Sequence, residues 1–296
     1  MTGRRAAPIA LGAVAIAAVL AIAFILLRPT PAPPPEPLPE TPVCDYRISG
    51  GRLALTRDHG QTWIDADATA EEVEETLEFY RNGLLLPPSS VFISTDRSLP
   101  VAYFSGGSPL LHLTADDGAQ WTRIPFPTAA EFGRAITRRV IGFATPDFGY
   151  AALGTDWSMG AGEHKMCYFS YDGGLTWEEK ELPLTMTSHT LAGLAMADES
   201  RGIAAFDTDA SEAYPVVSAT ADAGDTWAEI ALPFDEVPVE VGFLSDVKGL
   251  SFEQGTFTLA LGQGNQGTRR ALFEAEDVQG PWRFAGIDEV PIHLVG

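Results

Sequence analysis

An eight-residue pattern returns five times along this chain. "TRDHGQTW" occupies 56 to 63, "TADDGAQW" 114 to 121, "SYDGGLTW" 170 to 177, "TADAGDTW" 220 to 227, and a worn copy, "AEDVQGPW", 275 to 282. The tryptophans that end the copies, Trp63, Trp121, Trp177, Trp227 and Trp282, are separated by 58, 56, 50 and 55 residues. A fixed period of this size is the signature of a fold built by repeating one supersecondary unit, so it outranks any reading of single strands.

Each copy has the chemistry of a hairpin turn. The Asp carboxylate and the Ser or Thr hydroxyl two residues earlier can accept hydrogen bonds from N–H groups that a tight turn leaves unpaired. Gly supplies a positive φ that a side chain would penalise. Trp then opens the returning strand and offers a large apolar face to the neighbouring unit. Asp58, Asp116, Asp172, Asp222 and Asp277 are therefore expected to be structural turn residues. The fifth copy has Ala275 in place of the hydroxyl and Gln279 in place of Gly, with Gly280 displaced by one, so its turn is expected to differ in shape.

The intervals between copies carry short apolar or alternating runs broken by Gly, Pro, Asp or Asn, which read as strands. "VIGFAT", "YAALGT", "HKMCYFSYD" and "TWEEKELPL" make one four-stranded unit, and "LAGLAMA", "GIAAFD", "PVVSATAD" and "TWAEIAL" the next. Similar runs at 91–126 and 239–287 make two more. The fifth is predicted to join both ends of the domain, with "VPIHLV" at 290–295 innermost, then "DYRISG", "RLALTRD" and "TWIDAD", a clasp that leaves no open strand edge. The innermost strands read from the sequence are "VFIS", "VIGF", "LAGLAM", "VGFL" and "IHLV", none with an arginine. The stretch 68–83, with Val73, Leu77 and Tyr80 at helical spacing, is predicted to be a short helix capping one face.

These turns resemble the Asp-box, or bacterial neuraminidase repeat, of β-propellers that include sialidases, sortilin-type receptors and photosystem II assembly factors. The resemblance covers nearly all of 44–296 and implies an all-β, five-bladed propeller of four-stranded blades, in which the box joins the third and fourth strands. It selects no activity, because the box is structural and the fold hosts many functions. Sialidases of this kind use three arginines, a Tyr with a Glu, and an acid/base Asp drawn from several blades. "YRIS" at 46–49 is similar to their first arginine motif, but Ser49 replaces its proline and Arg47 lies only eleven residues before Asp58.

The N-terminus sets a location. Arg4 and Arg5 precede an uncharged apolar run from Ala6 to Leu27, which ends at Arg28. As a helix this run would be about 33 Å long, enough to cross a bilayer core of roughly 30 Å. The expected organisation is a cytoplasmic 1–5, a transmembrane signal anchor at 6–28, a Pro-rich linker at 29–43 and the propeller at 44–296, placed outside the cytoplasm by the positive-inside rule. Cleavage after Ala21-Ile22-Ala23 is the alternative. Eight prolines between 29 and 42 favour an extended strut of roughly 40 Å.

Within 44–296 there are 16 basic and 38 acidic residues, which argues against nucleic acid or anionic lipid as a partner. The five histidines and two cysteines, Cys44 and Cys167, show no metal spacing, no cofactor motif is present, and the spacing leaves pairing of the cysteines open. In a propeller of this kind, ligand sites are expected on the face opposite the Asp turns, where loops 127–139, 155–165, 207–214 and 262–270 would gather. The candidates there are Asp156, Trp157, Glu163, His164, Tyr214, Arg138, Arg139, Arg269 and Arg270, since an aromatic beside carboxylates suits a glycan or peptide. The function expected is binding of a protein, peptide or glycan at the cell surface, with sialidase-like glycoside hydrolysis as the alternative.

Overall fold

The computed structural model describes residues 42–79, 86, 88–126, 134–156, 162–184, 186–208, 214–263 and 269–289. The predicted membrane segment, nearly all of the Pro-rich linker, the closing strand at 290–295 and Trp157 lie outside them. Among the described residues no helix is long and apolar enough to cross a membrane.

Five antiparallel sheets follow one another along the chain, and each Asp turn joins the last two strands of its sheet. Blade one contains β1 (Asp45–Ser49), β2 (Arg52–Thr56) and β3 (Ile64–Asp65). Blade two contains β4 (Val91–Phe92), β5 (Val101–Ser105), β6 (Leu110–Thr114) and β7 (Thr122–Pro125). Blade three contains β8 (Ile136–Phe143), β9 (Gly149–Thr155), β10 (Glu163–Ser170) and β11 (Glu178–Lys180), and β12 (Met186–Thr187) also pairs with the start of β10. Blade four contains β13 (Leu191–Met196), β14 (Gly202–Phe206), β15 (Val216–Thr220) and β16 (Ala228–Glu229). Blade five contains β17 (Asp246–Glu253), β18 (Thr256–Gly262), β19 (Arg269–Ala275) and β20 (Arg283–Glu289). The architecture is an all-β, five-bladed propeller with one α-helix among the described residues.

Alternation along the strands explains why the sheets stack. In β9, Ala151 and Leu153 enter the core shared with blade two, while Tyr150 and Ala152 enter the core shared with blade four. Likewise in β14, Ile203 and Ala205 face blade five and Ala204 and Phe206 face blade three. A strand buried on both faces has no polar side, which is why these runs read as nearly continuous apolar sequence. Trp121, Trp177, Trp227 and Trp282 each pack into the core shared with the preceding blade.

The first four turns share one geometry. The hydroxyls of Thr56, Thr114, Ser170 and Thr220 donate to the Asp two residues on at 2.9 Å. They also accept the N–H of the Gly four residues on at 2.8–2.9 Å. Each Asp in turn accepts a backbone N–H four residues later, as Asp172 does from Thr176 at 2.9 Å. Two successive residues have positive φ in each, for example Gly173 (74°) and Gly174 (91°). The fifth turn has no positive φ, and the Asp277 carboxylate accepts the Gln279 N–H, only two residues on, at 2.9 Å. Losing the hydroxyl and shifting the Gly changes the turn, as its sequence anticipates.

Three sequence readings are corrected. "VGFL" is not the innermost strand of blade five: Val239–Val241 is a 3₁₀ turn, and β17 begins five residues beyond it. Gly242, at φ 80°, breaks the strand there. The innermost strands are also not free of arginine, because β8 extends back to Ile136 and so contains Arg138 and Arg139. The helix begins later than 68: its described part, α1, spans Ala70–Phe79, and 80–83 lie outside the described residues. Its start is fixed by a capping box, in which Thr69 Oγ1 accepts from Glu72 N–H at 3.2 Å and Glu72 accepts from Thr69 N–H at 2.7 Å. Cys44 and Cys167 are unpaired with each other, and Cys167 is buried between blades three and four.

Candidate functional site

Antiparallel register places the start of each innermost strand, the loop between its second and third strands and the crossover between blades on one face. In blade three, Ile136 pairs with Thr155 and Lys165 with Gly154, so Arg138, Asp156 and Glu163 share that end. Gly154 makes room there: a Cβ would collide with Glu163 Oε1 and come within 3.0 Å of Arg138 Cβ.

Glu163 is buried. Its Oε2 accepts the N–H of Leu191, the first residue of β13, at 2.5 Å and lies 3.6 Å from the buried Lys165 Nζ. Burial pushes its carboxyl up to about 7, against the opposing pull of that N–H, Lys165 and Arg138. Lys165 is lowered by the same burial and donates to the carbonyls of Glu163 and Leu184 at 3.3 and 3.0 Å. Asp207 repeats the arrangement one blade on. Its Oδ1 accepts the Val247 N–H of β17 at 2.8 Å, and burial raises its carboxyl. Arg138, exposed on β8, acts electrostatically on both carboxylates. These carboxylates therefore clasp each blade to the innermost strand of the next.

Arg139 is another clasp. It is 1% exposed and donates to the carbonyls of Ser105 and Gly107 in blade two at 3.3 and 2.9 Å. Arg269 and Arg270 lie on the outer part of blade five, where Arg269 pairs with Glu289 at 3.3 Å and Arg270 faces Asp288 across the ladder. The arginines thus do not converge on one point. Arg47 is also diverted, stacking on Trp63 at 3.9 Å from the ring centroid. His164 is half-buried, its N–H bonded to Thr155 Oγ1 at 3.0 Å, and Asp156 is exposed, its N–H donated to Ala135.

Tyr214 has a different setting. It is 43% exposed and stacks on Phe234 with centroids 3.9 Å apart. Phe234 opens the crossover to blade five, which also carries Val239, 93% exposed, and Phe243, 66% exposed. An exposed aliphatic and two exposed aromatics thus lie in the β14–β15 loop and the crossover that leads to blade five. The sequence reading missed Val239 and Phe243 because it placed this stretch at the start of a buried strand.

It also missed a buried relay in blade two. Ser105 Oγ lies 2.6 Å from His112 Nε2, and His112 Nδ1 lies 2.6 Å from Asp67 Oδ1. The order resembles a hydrolase triad, but His112 is fully buried and the cavity beside Ser105 holds about 10 Å³. The following N–H groups are already used: Gly106 donates to Thr76 and Gly107 to Glu75, both on α1. Those two N–H groups therefore leave no oxyanion site beside Ser105 among the described residues. The relay ties the segment leading into α1 to blade two, with Arg123 closing it at 2.8 Å from Asp67.

The face of the Asp turns is occupied by structure. Arg97 bridges turns one and two through Asp117 (2.5 Å) and Asp58 (4.0 Å), and Arg201 reaches Asp277 at 3.3 Å. Among the described residues no three His, Cys, Asp or Glu side chains form a metal site.

No protein-family model and no curated protein matches the chain. Among solved structures, similar folds include a GH74 xyloglucanase from Xanthomonas campestris, at 16% identity and a TM-score of 0.47 over 83% of this chain and 37% of that one. YCF48 bound to D1 peptide matches at 14% identity and 0.42, over 81% of this chain and 64% of that one. The β-propeller domain of the Trilobed protease from Pyrococcus furiosus matches at 12% and 0.42, over 82% and 70%. The chain thus spans little more than a third of the xyloglucanase.

Proposed function

We propose that this protein is a binding or scaffold propeller, held outside the cytoplasm by its N-terminal segment, whose loop face engages a protein or peptide. The observation that carries the reading is the exposure of Tyr214, Val239 and Phe243 in the loop and crossover of blades four and five. Apolar area left exposed on an otherwise acidic domain marks a place where another surface closes over it. The Asp-box reading fits the same division of labour, with turns fastening one face and ligand contact on the other. An exposed aliphatic such as Val239 favours a polypeptide over a glycan.

The test compares full-length protein with the Tyr214→Ser/Phe243→Ser double variant in capturing surface-labelled partners from the native envelope. Capture by the native chain and loss in a variant that melts normally supports the reading. Equal capture by both sinks it.

Glycoside hydrolysis is the second reading, favoured by a carboxyl raised to about 7 next to Arg138, as a general acid requires. Turnover of fluorogenic glycosides, lost in Glu163→Gln, would replace binding with catalysis.

A further inference from the structure

Among the described residues, blade one lacks an innermost strand. Its sheet is β1-β2-β3, whereas blades two to five each begin with a strand at the axis, namely β4, β8, β13 and β17. By order, β1 is a second strand, the counterpart of β5, β9 and β14. Every residue of those three is buried, and none of the five in β1 is. Apolar cores join blades one and two, two and three, three and four, and four and five. Among the described residues no such core joins blade five to blade one. The two are neighbours all the same: burial raises the Cys44 thiol, and both Arg57 of blade one and Glu253 of blade five act on its charge.

The register shows which groups that edge offers. The two-residue turn Gly50-Gly51, with φ 58° and 74°, closes on the hydrogen-bonded pair Ser49 and Arg52, so Arg47 and Asp45 also bond to β2. The N–H and C=O groups of Tyr46 and Ile48 therefore point away from β2. The Tyr46 N–H is taken by Asp45 Oδ1 at 2.7 Å, which leaves the Ile48 N–H and both carbonyls to an added strand. The side chains of Tyr46 and Ile48 join the core shared with blade two, so apolar residues suit the positions opposite them. On β17, Leu250 lies against Gly193 of blade four, so Gly249 and Ser251 turn toward blade one and suit small polar residues in between. The flanks of the domain do not supply this strand. Residues 29–42 carry eight prolines, which have no N–H for a ladder. The run 290–295, expected from the sequence to close the blade, starts directly after Glu289, which ends β20 opposite Arg269. Crossovers from an outer strand to the next innermost one take ten residues at 126–135 and ten at 181–190, so this run has none left for the crossing.

We propose that the inner edge of β1 binds an extended segment of another polypeptide, which adds to blade one as its first strand and alternates apolar with small polar residues. The site shares no residue with the loop-face surface. The probe is a fluorescein-labelled peptide, Lys-Thr-Val-Thr-Val-Thr-Val-Lys, titrated by anisotropy into the full chain in detergent micelles. Binding is expected, with the valines opposite Tyr46 and Ile48, because a one-residue slip would put threonine into the core. N-methylation of the valines removes the donors that face β1 and should weaken binding by roughly tenfold or more, whereas N-methylation of the threonines should change it by less than about twofold. Ile48→Pro removes the edge donor without touching the ladder to β2, and should weaken binding by a similar factor. The Tyr214→Ser/Phe243→Ser variant should bind unchanged, so failure here is distinct from failure of the loop-face reading. Before peptide is added, the Ile48 N–H should exchange roughly tenfold faster than that of Arg47, and peptide should remove the difference. Slow exchange at Ile48 without peptide would mean that the chain's own residues fill the edge, or a second copy where the slowing grows with protein concentration. Either result overturns the proposal, as does no binding to the native chain or equal affinity of the two N-methylated peptides. If Ile48→Pro does not fold, the N-methylated pair decides it.

Discussion

Replacing Glu163 with Gln should make this protein more stable in alkali and leave it unchanged in acid. The native carboxyl is raised from 4.5 to about 7 because burial disfavours its charge. The sign follows from proton counting. Between pH 4.5 and 7 the native state holds a proton that the unfolded chain has released, so stability present below that window is lost as pH rises through it. A gap of about 2.5 units corresponds to roughly 3 kcal/mol at full ionisation. Gln keeps an oxygen for the Leu191 N–H and never ionises, but it leaves Lys165 without its 3.6 Å partner. The net gain at pH 8.5 should therefore be about 1–2 kcal/mol, or roughly 3–6 °C in Tm for a domain of this size. At pH 5 the protonated native side chain and Gln are nearly alike, and the two melts should coincide. Thermal melts of both proteins at the two pH values test this. A Glu163→Gln protein that melts lower at pH 8.5, or is shifted equally at both, refutes the assignment of Glu163 as a buried clasp strained by its charge.

Phe206 is fully buried between blades three and four, so Phe206→Ala should cost about 3–5 kcal/mol in urea melts, and a loss under 1 would contradict the packing described. Burial lowers the His112 imidazole, so its stabilising contribution is present above pH 6.5 and lost as pH falls below it. His112→Phe should lose about 1–3 kcal/mol at pH 7.5 and flatten the acid limb of the pH–stability profile, and an unaltered acid limb would assign that limb elsewhere. Asp172→Ala removes the acceptor of the Leu175 and Thr176 N–H groups, at 3.0 and 2.9 Å. Amide exchange at those two positions should quicken at least tenfold while β9 stays protected, and unchanged exchange would show that the carboxylate does not hold the turn.

The turns were legible because they are local. Thr56 and Asp58, or Ser170 and Asp172, satisfy one another within five residues, so spacing alone encodes their geometry. The same holds for the start of α1, where Thr69 and Glu72 form the cap. Blade count followed directly from the turns. The site was less legible because its contacts join distant segments. Glu163 meets Leu191, Asp207 meets Val247 and Arg139 meets Ser105, and no periodicity announces such pairs. Gly154 was the one local clue to Glu163, since a side chain there would displace the carboxylate. "VGFL" misled for a related reason: its apolar run suits a strand, yet Gly242 turns the chain and leaves Phe243 in solvent. Tyr214, chosen from its loop, was placed on the exposed face, whereas Arg139, chosen from the same reasoning, was drawn inward by carbonyls of the neighbouring blade.

The proposal that the partner meets the loop face and not the face of the Asp turns can be tested in a single experiment. A photo-crosslinking amino acid is placed at Tyr214, on the loop face, or at Leu175, 56% exposed on an Asp turn, and each protein is irradiated in its native cells. Adducts with a discrete partner at 214 and none at 175 are expected. Adducts at 175 with none at 214 would contradict the account.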